Sequence, residues 1–238
     1  METTIEFVNH ASVIIKGENV SVLSDPWFQG DAFHKGWNLL SETSEDDAKE
    51  ILKRVTHIWL SHEHPDHFSV PFFKRFSKKI NELSIKILFQ ETKDQRVLRF
   101  LRDLSLNCTE LKFNKAIYLD EDFSVTCIKD GFYDSGLLIK NKNEKILNLN
   151  DCEVSSKNRA KEVYSITGSV DLLLTQFSFA AWKGGKENKK WRDEAAKEKL
   201  DTMALQINYF QPKIVIPFAS FVYFSNSENF RLNKYMNN

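Results

Sequence analysis

The sequence is poor in the residues that punctuate or staple a chain: five prolines, eight glycines and three cysteines in 238 residues. So little proline and glycine leaves no low-complexity linker. The chain reads as one domain, residues 1–238, of a length that buries a sizeable core. Cys108, Cys127 and Cys152 are odd in number, far apart and without CxxC spacing. That excludes a disulfide framework and suits reduced thiols in a cytosol. Lysine plus arginine and aspartate plus glutamate both count 33, so no charge excess points to nucleic acid or an anionic membrane as partner. No apolar run approaches the ~18 residues of a membrane span, and the start Met1-Glu2-Thr3-Thr4 is neither basic nor apolar. The expectation is a soluble cytoplasmic protein with a small-molecule substrate and no preference read for oligomeric state.

Histidine is scarce as well, with six in all and none after His67. Three of them fall in His62-Glu63-His64-Pro65-Asp66-His67, directly after the apolar run Ile58-Trp59-Leu60. Residues two apart on an extended segment project to one side, so His62 and His64 can hold one ion. Asp66 and His67, past the Pro65 bend, can point at a second position. Imidazole nitrogen and carboxylate oxygen are ordinary metal ligands, and a strand end is where a rigid scaffold meets a functional loop.

Around this loop the apolar pattern alternates between periods of two and 3.6. Short strands are expected at 4–8, 11–16 and 20–24, with a turn at Lys16-Gly17-Glu18-Asn19. A helix at 45–54 capped by Ser44, a strand at 56–60 and a helix at 71–79 opened by Pro71 follow. Next come a strand at 85–89, a helix at 93–104 and strands near 109–113, 123–129, 136–140 and 145–149. Helix 156–164, strand 170–175, a long helix at 189–210 and strand 213–217 end the regular part. Trp191, Ala195, Leu200, Met203, Ala204, Ile207 and Phe210 are expected along one stripe of the long helix. Two strand clusters with interspersed helices predict an α/β protein, a four-layer αβ/βα sandwich.

The heptapeptide Ser61-His62-Glu63-His64-Pro65-Asp66-His67 resembles the signature of the metallo-β-lactamase-fold superfamily. Asn9-His10-Ala11-Ser12-Val13-Ile14-Ile15 resembles its opening hairpin, and Leu23-Ser24-Asp25-Pro26-Trp27-Phe28 the Asp-Pro turn of its non-lactamase branches. Within the superfamily the chain is most similar to the hydrolase-like domain of the CMP-N-acetylneuraminate hydroxylases and their bacterial relatives. Asp25-Pro26-Trp27-Phe28, Gly36-Trp37, Asp134-Ser135-Gly136, Asn148-Leu149-Asn150-Asp151 and Pro217-Phe218-Ala219 carry this likeness, in the expected order, over about residues 5 to 225.

The resemblance implies a metal site of His62, His64, Asp66, His67 and Asp151, the last standing where the superfamily has a Gly-Asp strand end that bridges two ions. It also implies two further histidines downstream, which this chain lacks. The late position corresponds to Phe218, which ligates nothing. Ahead of Asp151 a carboxylate, Asp134 or Asp130, is expected to stand in for imidazole. Oxygen-rich ligation shifts preference from zinc toward iron or manganese. One or two divalent ions per chain are expected, with one held well.

Other residues have two readings each. Asp25, at a strand end before Pro26, can accept hydrogen bonds from the metal loop and orient an imidazole, or form a plain Asx turn. By the resemblance, His10 lies beside the cleft in a supporting or substrate-binding role. Trp27, His34 and Trp37 belong to an aromatic loop that either covers a substrate or seals loop onto core. His57 reads as a core histidine. The segment Trp182-Lys183-Gly184-Gly185-Lys186 reads as a solvated basic loop, and Cys152 as a small buried residue that could touch the site.

Three functions follow. The first is a metal-dependent hydrolase acting on a sugar or nucleotide-sugar derivative, with Asp66 as general base on a metal-bound water. The second is an iron-dependent hydroxylase-like component. The hydroxylase family carries a Rieske iron–sulfur domain with paired Cys and His ligands, and these cysteines lie far from any histidine, so electrons would have to come from a separate partner. The third is a non-catalytic binding module.

Overall fold

Strand β6 (His57–Leu60) shows how the layers arise. Ile58 and Leu60 project into one apolar cluster and Trp59 into another, because successive side chains on a strand face opposite ways. A strand buried on both faces needs an unbroken apolar run rather than an alternating one.

The computed structural model describes residues 3–179 and 181–237. The first half runs β1 (Thr4–Asn9), β2 (Ser12–Lys16), β3 (Ser21–Ser24), β4 (Asp31–Ala32), β5 (Trp37–Leu39), α1 (Glu45–Leu52), β6, α2 (Val70–Glu82), β7 (Lys86–Gln90), α3 (Arg96–Asp103) and β8 (Cys108–Leu111). The second runs β9 (Ala116–Tyr118), β10 (Phe123–Asp130), β11 (Asp134–Asn141), β12 (Glu144–Asn150), α4 (Lys157–Thr167), β13 (Leu172–Gln176), α5 (Lys189–Phe210), β14 (Ile214–Phe218), β15 (Val222–Phe224) and a 3-10 turn, Phe230–Tyr235.

Two six-stranded sheets result, ordered β1-β2-β3-β6-β7-β8 and β14-β13-β12-β11-β10-β9. In each, an antiparallel meander joins a parallel run: β3, β6, β7 and β8 in the first, β12, β13 and β14 in the second. Val13, Trp59, Leu88, Val125, Leu137 and Leu174 fill the space between the sheets. Helices α1 to α3 cover the outer face of the first sheet through Leu52, Phe73, Ile80 and Leu98. Helix α4 and the end of α5 cover the second through Ala160, Val163 and Phe210. This is the expected four-layer αβ/βα sandwich. Ser44 and Ser69 cap α1 and α2, accepting from the amides of Asp47 and Phe72.

Some expectations need correction. The stripe on α5 does not face the core as a unit. Ala195 and Phe210 are buried, whereas Trp191, Leu200, Ala204 and Ile207 are exposed, and Arg192 and Gln206 take buried positions instead. Strands β4, β5 and β15 were not expected; they form a small third sheet in which Trp37 pairs with Phe224. The segment around Trp182 is tied down, since the buried Arg192 guanidinium donates to the carbonyls of Lys183, Gly185 and Lys186. All three cysteines are unpaired, and Cys152 packs with Leu147 and Val154. No helix among the described residues is long and apolar enough to cross a membrane.

Candidate metal centre

Among the non-glycine residues with left-handed backbone, four stand at the ends of β1, β3, β12 and β14: His10 (φ 30°), Asp25 (37°), Asn150 (50°) and Ala219 (55°). They follow β1, β3 and β14 or close β12, the ends from which the loop 61–67 also springs. Such conformations cost of order 1–3 kcal/mol each for ordinary side chains and concentrate at functional sites. Parallel sheets likewise offer ligand sites at the carboxyl ends of their strands. Asn150 occupies the position where the superfamily motif has glycine, and asparagine tolerates that backbone well.

Asp25 is the buried anchor of the site. Its Oδ1 accepts from the Ser61 amide at 2.7 Å, and its Oδ2 accepts from Ser61 Oγ at 2.7 Å, from His67 Nδ1 at 3.0 Å and from Asn150 Nδ2. Ser61 Oγ lies 2.9 Å from His62 Nδ1 and, having donated to Asp25, accepts from it. Both imidazoles therefore carry their protons on Nδ1 and turn Nε2 away from Asp25. The main chain of the loop is pinned too, since the Ser61 carbonyl accepts from Gln90 Nε2 and Ser135 Oγ at 2.9 and 2.6 Å.

On the open side the donors converge. His62 Nε2 is 2.8 Å from His64 Nδ1 and 3.6 Å from Asp134 Oδ1. His67 Nε2 is 3.2 Å from Asp66 Oδ2 and 3.5 Å from Asp151 Oδ2. His10 Nε2 is 3.4 Å from Asp66 Oδ2. Donors bonded at about 2.1 Å to a common ion stand about 3.0–3.4 Å apart in octahedral or tetrahedral shells. Three triads have ligand-grade atoms within 4.8 Å of one another: His62, His64 and Asp134; His62, His67 and Asp151; His10, Asp66 and His67. Asp66 Oδ1, His67 Nε2 and Asp134 Oδ1 are buried with no hydrogen-bond partner among the described residues, a costly state that a cation relieves. These residues fit a metal centre.

The charges are balanced to receive one. Burial works against a charged His67, yet the Asp66 and Asp151 carboxylates overcome it and hold its pKa well above the usual value. Asp66 and Asp151 are correspondingly lowered, burial being outweighed mainly by His67. Burial, and then the charge of His67, pushes His62 down to about 3, leaving a neutral, ligand-ready imidazole. Asp134 is raised to about 7 by burial and by the Asp151 and Asp130 charges. Without an ion, a proton on His67 is the main positive charge among the clustered carboxylates.

Most expected residues meet here, in different environments. Asp66 and His67 are fully buried, while His64 is exposed at the mouth, its ring 5.9 Å from Phe33 and 6.5 Å from Tyr133. Trp27 is buried edge-on to His10 at 5.5 Å, and Trp37 packs against Phe33 at 4.6 Å. His34 is exposed, and no hydrogen bond or ion pair joins it to the cluster among the described residues. Asp130 does not join either. It accepts from Arg159 Nε at 2.8 Å and from the Glu153 amide at 2.6 Å, a structural ion pair, which leaves Asp134 as the nearer carboxylate. Sequence reasoning missed Ser61, Gln90 and the side chain of Asn150. Ser61 and Asn150 carried a signal only as members of the quoted motifs, and Gln90, at the end of β7, carried none.

Residues 4–156 match the family model described as the beta-lactamase superfamily domain. Among curated proteins the chain is similar to the cytidine monophosphate-N-acetylneuraminic acid hydroxylases of Danio rerio, 28% identical over 236 residues, and Xenopus laevis, 29% over 237. Each alignment covers 92% of this chain and 38% of the relative, so the chain spans well under half the length of these proteins. Among solved structures it resembles CmlA, a diiron β-hydroxylase from Streptomyces venezuelae (TM-score 0.67, 16% identity, 92% of this chain and 45% of that one). It also resembles the short form of human tRNase Z, ELAC1 (TM-score 0.53, 14% identity, 92% of both chains). At these identities the structural likenesses speak for the fold alone.

Proposed function

The chain belongs to the β-lactamase superfamily, and on that premise we propose that it is the metal-bearing part of a two-iron hydroxylase acting on a small molecule of the sugar or nucleotide-sugar class. The observation that carries this reading is the donor set. Each of the three overlapping triads joins two imidazoles to one carboxylate, Asp134, Asp151 or Asp66, and a two-histidine, one-carboxylate set with open positions is the ligand type of non-haem iron(II) oxygenases. The names of the similar proteins, CMP-N-acetylneuraminic acid hydroxylases and a diiron β-hydroxylase, support the same direction. The hydrolase, first choice from sequence alone, draws no comparable support.

His62, His64 and Asp134 would hold one ion, Asp66 and His67 the other, and Asp151 lies where it can reach both. Bound iron would supply redox chemistry: a substrate C–H, dioxygen, two electrons and two protons give the alcohol and water. The electrons would come from a redox group outside these 238 residues. The protein's own contribution is orientation. Asp25 holds the Nδ1 proton of His67, and Ser61 holds that of His62, so both Nε2 lone pairs face the cleft. Exposed His64, Phe33 and Tyr133 line the mouth, where aromatic faces can pack on a substrate ring.

The test is anaerobic loading with iron(II), elemental analysis, and oxygen uptake with a chemical reductant and a CMP-sugar. Two irons per chain and reductant-dependent uptake are expected. Turnover of an ester or phosphodiester by the zinc form, without reductant, alongside an inert iron form would sink the proposal.

A further inference from the structure

We infer that His10 supplies the missing imidazole of the second metal position, replacing from the first hairpin the ligand that the late strand does not provide. This rests on the two-metal reading above. At the end of β14 the late position is Phe218, fully buried and without a donor atom. Across the site, in the other sheet, His10 is 1% exposed and its Nε2 stands 3.4 Å from Asp66 Oδ2, which is itself 3.2 Å from His67 Nε2. Both separations match those of neighbouring donors on one ion, about 3.0–3.4 Å. His10, Asp66 and His67 are all buried, and Asp66 Oδ1 and His67 Nε2 have no hydrogen-bond partner among the described residues.

The backbone directs this imidazole inward at a cost. His10 has a φ of 30°, and the conformation is held by Asn9, whose Oδ1 accepts from the His10 amide at 3.0 Å while its Nδ2 donates to the Ser41 carbonyl at 2.8 Å. The ring rests edge-on to Trp27. Its Nδ1 has no partner among the described residues, so packing rather than a hydrogen-bond acceptor fixes the ring.

The test loads wild type, His10→Gly and His10→Gln with cobalt(II) alone, reading metal per chain by elemental analysis and ligand geometry by visible absorption. Glycine suits the left-handed backbone and leaves room for free imidazole. Wild type should hold two ions. His10→Gly should hold one, with the second weakened at least about 10-fold, and added imidazole should restore the second ion and its spectrum. A His10→Gly protein that keeps two ions with an unchanged spectrum overturns the assignment while leaving the two-metal reading intact. So does a second ion that His10→Gly loses and imidazole fails to restore while His10→Gln retains it, because His10 is then a positioning residue bonded to Asp66. If His10→Gly does not fold, His10→Gln decides: loss of the second ion supports the assignment and its retention overturns it. A wild type that binds one ion overturns the two-metal reading and this inference with it.

Discussion

Asp25 concentrates more of the site's organisation than any of the donor residues. One buried carboxylate receives Ser61 twice, His67 and Asn150, and so joins the ends of β3, β6 and β12. Asn at this position keeps shape and tolerates the positive φ, but its amide NH2 would face donors. One or more buried donors would then lose an acceptor, at about 1–3 kcal/mol. Asp25→Asn should lower metal affinity by about 10- to 100-fold, the range for lost outer partners of metal histidines. A chelator-competition titration checks this, and affinity within threefold of wild type would remove Asp25 from the orienting role. The sequence offered Asp25 through its strand end and Pro26, and His62 to His67 through their spacing. It could not offer Ser61 or Asn150, whose roles depend on contacts 36 and 125 residues away in the chain. Asp130 and Asp134 looked alike in sequence. Only Arg159, folded back from α4, commits one of them to structure.

At the scale of elements, strands buried on both faces were legible as apolar runs, α1 through its Ser44 cap and α2 through Pro71 in its first turn. Helix α5 was misread because helical spacing says which residues share a face but not which face is covered. Polar groups decide it: Thr175 Oγ1 donates to Gln206 at 2.5 Å, and the loop carbonyls at 183–186 take Arg192, so the covered side carries polar residues. Leu200 and Ile207 stay outside. Phe210→Ala should therefore cost about 3–5 kcal/mol, while Leu200→Ala and Ile207→Ala should each fall within about 0.5 kcal/mol of wild type. Urea unfolding at fixed pH measures all three. Equal losses would mean that the outer stripe is covered by a second surface in solution. The small sheet of β4, β5 and β15 was invisible for another reason: its strands are two or three residues long and joined across most of the chain, so neither length nor period marks them.

On the scale of the whole molecule, the centre is where two half-proteins meet. His62, His64, Asp66 and His67 hang from the first sheet, Asp134 and Asp151 from the second, and the main-chain pins at Ser61 are drawn from both. An ion held by all of them links the sheets and also offsets the repulsion among three clustered carboxylates. It binds the folded chain, in which the donors converge, far better than the unfolded one. Free metal at about 100 times its dissociation constant should then add about 2.7 kcal/mol. For a chain of 238 residues each kcal/mol moves the melting temperature by about 2–4 °C, so stripping the ion with a chelator should lower the Tm by about 5–11 °C. The His62→Ala/His64→Ala variant empties one side of the centre, and its Tm should respond much less to the chelator. Calorimetry on the two proteins, each with and without chelator, checks the difference. Equal chelator sensitivity would mean that the stabilising ion sits elsewhere. Insensitivity in both would mean that these donors hold no ion tightly enough to couple the two sheets.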